Sequence, residues 1–126
     1  MNGVTYDAGA LIAAERDSKP VWSLHRELLE RGLHPTLPTV VLGQVWRGGP
    51  RTQLSRLLRG CRTEPLTEPQ ARSAGAALAA SGAHDVIDAV VVVTALARDD
   101  LIVTSDPDDL QRIATAIGGT LALYVV

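Results

Sequence analysis

Residues 84–110 read His-Asp-Val-Ile-Asp-Ala-Val-Val-Val-Val-Thr-Ala-Leu-Ala-Arg-Asp-Asp-Leu-Ile-Val-Thr-Ser-Asp-Pro-Asp-Asp-Leu. Asp88 stands at the start of an almost wholly apolar run, and Asp106 just after a shorter one. Ala89 to Ala97 is long enough for a buried helix, Asp99 and Asp100 interrupt it, and Leu101 to Thr104 reads as a short buried strand. About ten helical residues carry the chain roughly 15 Å away from Asp88, and about five extended residues bring it back by a similar distance. Asp106 is therefore expected near Asp88. A carboxylate at the mouth of an apolar helix is costly to desolvate unless it is paired, hydrogen-bonded or bound to a cation. No Lys or Arg lies within a helical turn of Asp88, so a metal ion is the simplest partner.

The 126 residues make one expected domain, residues 1–126, large enough for a real core but with little room for a second module. There is no Phe, and Tyr6, Trp22, Trp46 and Tyr124 are the large aromatics, so the core must be built from Ala, Val and Leu. That composition suits helices packed on a parallel sheet. The net charge of −2 makes no global case for nucleic-acid binding, but the charge is unevenly placed. Between Arg31 and Thr63 there is no acid, while Arg31, Arg47, Arg51, Arg56, Arg59 and Arg62 all lie there. From Asp85 to Asp109 seven Asp face the single Arg98. A basic flank beside an acidic pocket is what a metal-dependent enzyme acting on a polyanion needs. Cys61 is alone, which rules out an intrachain disulfide and fits a reducing compartment. No apolar stretch approaches the length of a membrane span and the N-terminus lacks a basic signal-peptide start, so a cytoplasmic location is expected.

Strands are expected at residues 3–7, 34–38, 61–66, 101–104 and 120–125. Helices are expected at 8–14, 20–31, 39–47, 51–59, 68–80 (capped by Thr67) and 107–117, besides the one after Asp88. Gly48-Gly49-Pro50 and Ser81-Gly82-Ala83 are breaks. This alternation predicts a three-layer α/β/α sandwich with a mostly parallel central sheet. Sites in such folds lie at the carboxyl ends of the strands, where Asp7 and Asp106 both fall.

Each candidate carries a plainer alternative. Asp7 either caps the helix at Ala8 or serves the site. Asp85 and Asp88 share a helix face, where two like charges repel without a cation; Asp85 is either an N-cap or a ligand, whereas Asp88 lies a turn further in and is harder to explain as a cap. Asp106 can cap the helix at Pro107 and still bind a ligand. Asp108 and Asp109 suit the dipole of that helix's first turn. Thr104 and Ser105 either support a carboxylate or bound water, or are solvated. The arginines between 47 and 62 are either a solvated face or phosphate contacts. His25, His34 and His84 lack metal-ligand spacing, and a lone Cys argues against zinc or a thiol nucleophile. Oxygen-only ligands point to Mg²⁺ or Mn²⁺.

With Asp7 after the first strand, Val-Leu-Gly-Gln-Val-Trp-Arg-Gly at 41–48, Asp88-Ala-Val-Val, and Val-Thr-Ser-Asp at 103–106, the chain resembles the PIN-domain family, and most of all its VapC-type ribonuclease toxins. The resemblance runs over nearly the whole chain. It implies the α/β/α sandwich, an acid cluster holding Mg²⁺ or Mn²⁺, endonucleolytic cleavage of RNA, a small antitoxin partner and a homodimer. Asp7, Asp88 and Asp106 match three of the family's acidic positions, with Asp7 and Asp88 as direct ligands. Where the family usually has Glu on the third helix, this chain has Gln44, which is neutral. Asp85 is then a candidate to supply the missing charge, and Asp85 or Gln44 to position the attacking water. Arg47, Arg51, Arg56 and Arg59 would engage the RNA backbone or hold an acidic antitoxin segment. The alternative class keeps the fold as a catalytically weak RNA- or protein-binding module. A phosphoacceptor receiver domain is disfavoured, because it needs a lysine near its last strand and Lys19 is the only lysine.

Overall fold

The computed structural model describes residues 2–126; Met1, the first residue of the expected domain, lies outside the described residues. Five strands, β1 (Gly3–Tyr6), β2 (Thr36–Pro38), β3 (Arg62–Glu64), β4 (Asp100–Thr104) and β5 (Ala122–Val125), form one sheet in the order β3-β2-β1-β4-β5. Every pairing is parallel, so the sheet is wholly rather than mostly parallel. The helices are α1 (Ala8–Glu15), α2 (Lys19–Glu30), α3 (Thr39–Val45), α4 (Thr52–Arg59), α5 (Glu68–Ser81), α6 (Val86–Arg98) and α7 (Pro107–Ala116). α1 packs on α2, α3 and α4, while α5, α6 and α7 pack on one another. Right-handed crossovers require this grouping, because the chain steps from β1 toward β3 and then reverses to add β4 and β5. The result is the expected α/β/α sandwich.

Both faces of the central strands are covered, so they read as continuous buried runs: Val4, Thr5 and Tyr6 in β1, Ile102, Val103 and Thr104 in β4. α6 contains four consecutive valines, whose branching disfavours helix. Burial of Val90, Val91, Val92 and Ala95 overrides that preference. Its ends are defined by local chemistry: Asp85 caps the start, Arg98 sits in the last turn, and Asp99 closes the helix in the left-handed region at φ 56°. α5 begins with the expected Thr67 cap, here a full capping box with Gln70.

Several boundaries differ from expectation: β2 starts at Thr36 rather than residue 34, β1 ends at Tyr6, and α6 begins at Val86, a turn before Ala89. α3 stops at Val45 rather than Arg47, because Trp46 is extended and Gly48 and Gly49 both have positive φ. β3 shrinks to Arg62–Glu64, since Pro65 has no amide to continue the ladder. β5 starts at Ala122, two residues later than residue 120.

Several polar groups buried between the layers are paired. The Tyr6 hydroxyl lies 2.7 Å from His25 Nδ1, pinning α2 to β1. Burial, reinforced by Arg56, lowers the pKa of His25, and burial raises that of Tyr6, so the pair is a neutral phenol against a neutral imidazole. Arg98 ties Glu64 to Asp100, and Asp100 accepts from the Thr5 hydroxyl at 2.8 Å. No single helix among the described residues is long and apolar enough to cross a membrane.

Candidate active site

The strand order reverses between β1 and β4. Tyr6 pairs with Val103, so the carboxyl ends of these two strands lie side by side, and their helices depart to opposite faces. A crevice outside such a reversal is where open parallel sheets place their sites. Asp7 and Asp106 are the residues that leave β1 and β4 toward α1 and α7.

Asp7 stands at the N-cap position of α1, yet its side chain makes no capping bond there. It is buried, only 3% exposed, and its Oδ2 accepts a hydrogen bond from the Thr104 hydroxyl at 2.8 Å. The same Thr104 oxygen accepts from the Asp106 amide at 3.0 Å. Thr104 thus holds Asp7 and the start of α7 in one fixed relation, a supporting role rather than a solvated one. Asp106 is exposed and its carboxylate also makes no cap. Both carboxylates therefore occupy cap positions without capping.

Asp85 behaves differently. Its Oδ1 accepts from the amides of Ile87 and Asp88 at 2.9 and 3.1 Å, so it is the cap of α6. Capping fixes the first turn of that helix and hence where Asp88, half-buried on that turn, projects.

These acids feel one another. Burial raises the pKa of Asp7; the Ala8 amide and the Thr104 hydroxyl oppose the rise, and Asp106 and Asp85 add to it. Asp88 is pushed up to about 7, first by burial and then by Asp85, Asp7, Asp109 and Asp106. Every charge acting on the two residues is negative. Among the described residues the ion pairs take Glu15, Glu27, Glu64, Glu68 and Asp100, and none takes a member of this group. No three His, Cys, Asp or Glu side chains among the described residues converge closely enough to hold one ion alone. Asp7, Asp88 and Asp106 are therefore electrostatic neighbours without forming a closed three-carboxylate cage. The donor set still fits a hard cation that keeps part of its water: all donors are oxygens, their charge is uncompensated, and Mg²⁺ is commonly held by one or two carboxylates plus water.

Gln44 lies on α3, half-buried, and its Oε1 is buried without a hydrogen-bond partner. Ser105 is exposed, and its backbone lies against α1: a Cβ built on Gly9 would come within 2.5 Å of the Ser105 amide nitrogen. Gly9 is thus what lets α1 approach the end of β4. Cys61 is half-buried and its thiol is pushed up to about 12 by burial, consistent with an inert side chain.

The four arginines expected to share one role differ in their surroundings. Arg51 is paired with Glu15 at 2.8 Å, and Arg47 donates to the carbonyl of Trp46 at 2.8 Å. Arg56 lies over the Trp22 ring at 3.9 Å, and Arg59 sits exposed in the last turn of α4. Sequence reasoning missed Gly9, whose signal is only a small residue in a helix's first turn, and Lys19 and Arg26, which meet Arg56 through the fold alone.

Fold and site together define an all-parallel α/β domain with a group of unpaired aspartates at its switch point. No family model matches the sequence, and no curated protein does. In fold the chain is similar to a chain of the crystal structure of VapBC2 from Rickettsia felis bound to a DNA fragment from their promoter, with a TM-score of 0.70, 98% of each chain covered and 16% identity. The expected α/β/α sandwich with a parallel central sheet is the fold observed, and that chain shares it.

Proposed function

We propose that this chain is a metal-dependent endoribonuclease that hydrolyses RNA phosphodiester bonds, and the toxin of a type II toxin–antitoxin pair. The observation that carries the reading is the set of aspartates at the β1–β4 switch point, of which Asp7 and Asp88 are burdened by burial and by the charge of neighbouring aspartates, with no ion pair among the described residues to relieve them. The fold shared with a chain of the VapBC2 structure supports it.

Asp7 and Asp88 would hold Mg²⁺ or Mn²⁺, with Asp106 acting at the edge of the site. Bound there, such an ion supplies Lewis-acid neutralisation of the phosphate and lowers the pKa of a water. The chain's own residues do the positioning. Thr104 holds Asp7 in a single orientation through its hydroxyl. Asp85 caps α6 and so aims Asp88. Gly9 allows α1 and its Asp7 to sit against the β4 end. Exposed Asp106 is free to order water at the rim. A small antitoxin protein and a second copy of the chain are the partners in this reading.

Incubating the protein with a mixed RNA pool and Mg²⁺ tests the activity, with Asp88→Ala as control. Cleavage by the wild type that the variant lacks supports the reading. Absence of cleavage at every metal and RNA tried favours the second reading, a binding module that keeps the fold. That alternative rests on one observation, the neutral Gln44 with its unpartnered Oε1. Co-purification with the product of a short neighbouring reading frame tests the antitoxin partner.

A further inference from the structure

On the α2/α4 side of the fold, Asp17, Lys19, Trp22, Ser23, Arg26 and Arg56 line a cleft of about 340 Å³. Three cations meet one carboxylate there, in a chain whose net charge is −2. Asp17 is turned to Gln53, whose Nε2 donates to its Oδ1 at 2.7 Å. Lys19 and Arg26 are exposed and are absent from the ion pairs among the described residues, which engage Arg31, Arg51, Arg72 and Arg98. Arg56 has an aromatic partner rather than an anionic one. The back wall is rigid: Trp22 Nε1 donates to the Ala14 carbonyl at 3.1 Å, and the ring meets His25 edge-on.

We infer that this cleft binds the phosphate backbone of the RNA substrate, an inference that takes its ligand class from the ribonuclease reading above. Unpaired cations at one concave place attract phosphates whatever the base sequence. The Trp22 face is already covered by the Arg56 guanidinium, so the cleft contacts backbone rather than stacking bases. An amphipathic protein helix needs an aliphatic groove, and this lining contains no aliphatic residue. The cleft lies beyond the far end of α1, roughly 12 Å of helix from Asp7 at 1.5 Å per residue. It therefore serves affinity and register, while the acids serve hydrolysis.

The test measures binding of a fluorescein-labelled oligouridine by anisotropy in EDTA, where hydrolysis is suppressed, across a salt series. Lys19→Gln/Arg26→Gln/Arg56→Gln should weaken binding by about tenfold or more and flatten the dependence of log K on log salt by about 0.7 for each phosphate no longer neutralised. Lys19→Gln and Arg26→Gln singly should each give part of that loss with unchanged thermal unfolding, which separates binding from folding. Arg72→Gln, on α5 and paired with Glu68, should bind as the wild type does, and cleavage is read separately in Mg²⁺, so loss of cleavage and loss of docking are read independently. Wild-type protein that does not bind the oligomer, or a triple variant that binds it equally well, overturns the inference. Loss of a co-purifying protein with RNA affinity unchanged also overturns it, in favour of an acidic polypeptide.

Discussion

Thr104 Oγ1 donates to Asp7 Oδ2 at 2.8 Å while accepting from the Asp106 amide at 3.0 Å, so one buried hydroxyl joins the ends of the two central strands. Thr104→Val keeps the shape, strips a donor from a buried carboxylate and leaves an amide unsatisfied. A loss of about 1–3 kcal/mol in stability is expected, together with weaker divalent-ion binding. Thr104→Ser should recover both. Urea unfolding and a Mg²⁺ titration of the two variants check this, and a Val variant as stable as the wild type contradicts it.

The raised pKa of Asp88 has a definite sign for stability. Folded Asp88 titrates near 7 against an ordinary value of 3.8. Below 3.8 the group is protonated in both states and carries no penalty. Between 3.8 and 7 the unfolded chain loses its proton first, so stability falls as pH rises through that window, and above 7 the full penalty applies. Three pKa units correspond to about 4 kcal/mol unscreened, discounted to about 1–2 because the side chain is half exposed. In EDTA, Asp88→Asn should match the wild type below the lower pKa and exceed it in urea resistance above the upper one. Equal stability at both ends of the range would refute the burial and repulsion described here.

An alanine in a helix normally gains about 1 kcal/mol over glycine. Gly9→Ala should do the reverse, because its Cβ meets the Ser105 amide nitrogen at 2.5 Å. Overpacking of this kind costs about 1–3 kcal/mol, and it also displaces Asp7 from the β4 end. Thermal unfolding decides the sign, and a rise in Tm would show that α1 and Ser105 are not in close contact.

Asp85 has two effects that different substitutions separate. Asp85→Ala removes a cap that accepts two amides, costing about 0.5–2 kcal/mol. Asp85→Asn keeps the cap and removes only the charge. If that charge helps hold the ion, the Asn variant folds normally and binds Mg²⁺ more weakly; unchanged affinity confines Asp85 to capping.

The sequence was most legible where a residue's partner is close along the chain or dictated by periodicity. The apolar runs after Asp88 and before Asp106 predicted α6 and β4, and Thr67 announced the helix it caps, whereas Asp85 stood open between cap and ligand. Tertiary pairing was not legible. Nothing local distinguishes the Thr104 hydroxyl, which reaches Asp7 across 97 residues, from a solvated one. The same holds for Arg51, whose charge is taken by Glu15 on another helix. Arg98 was a lone base among acids in sequence and is a three-way clamp on Glu64, Asp100 and Thr5 in the fold. Asp7 and Asp106 show the limit from the other side, since both stand at cap positions and neither side chain caps.

The reading proposed for the aspartates at the β1–β4 switch point makes them a divalent-cation site. Calorimetric titration of Mg²⁺ and Mn²⁺ into the wild type, Asp7→Asn and Asp88→Asn above pH 7 tests it most directly. Saturable binding by the wild type is expected, with a loss of about tenfold or more, roughly 1.4 kcal/mol, in each variant. Wild-type protein that binds neither ion, or variants that bind as tightly as the wild type, would contradict it.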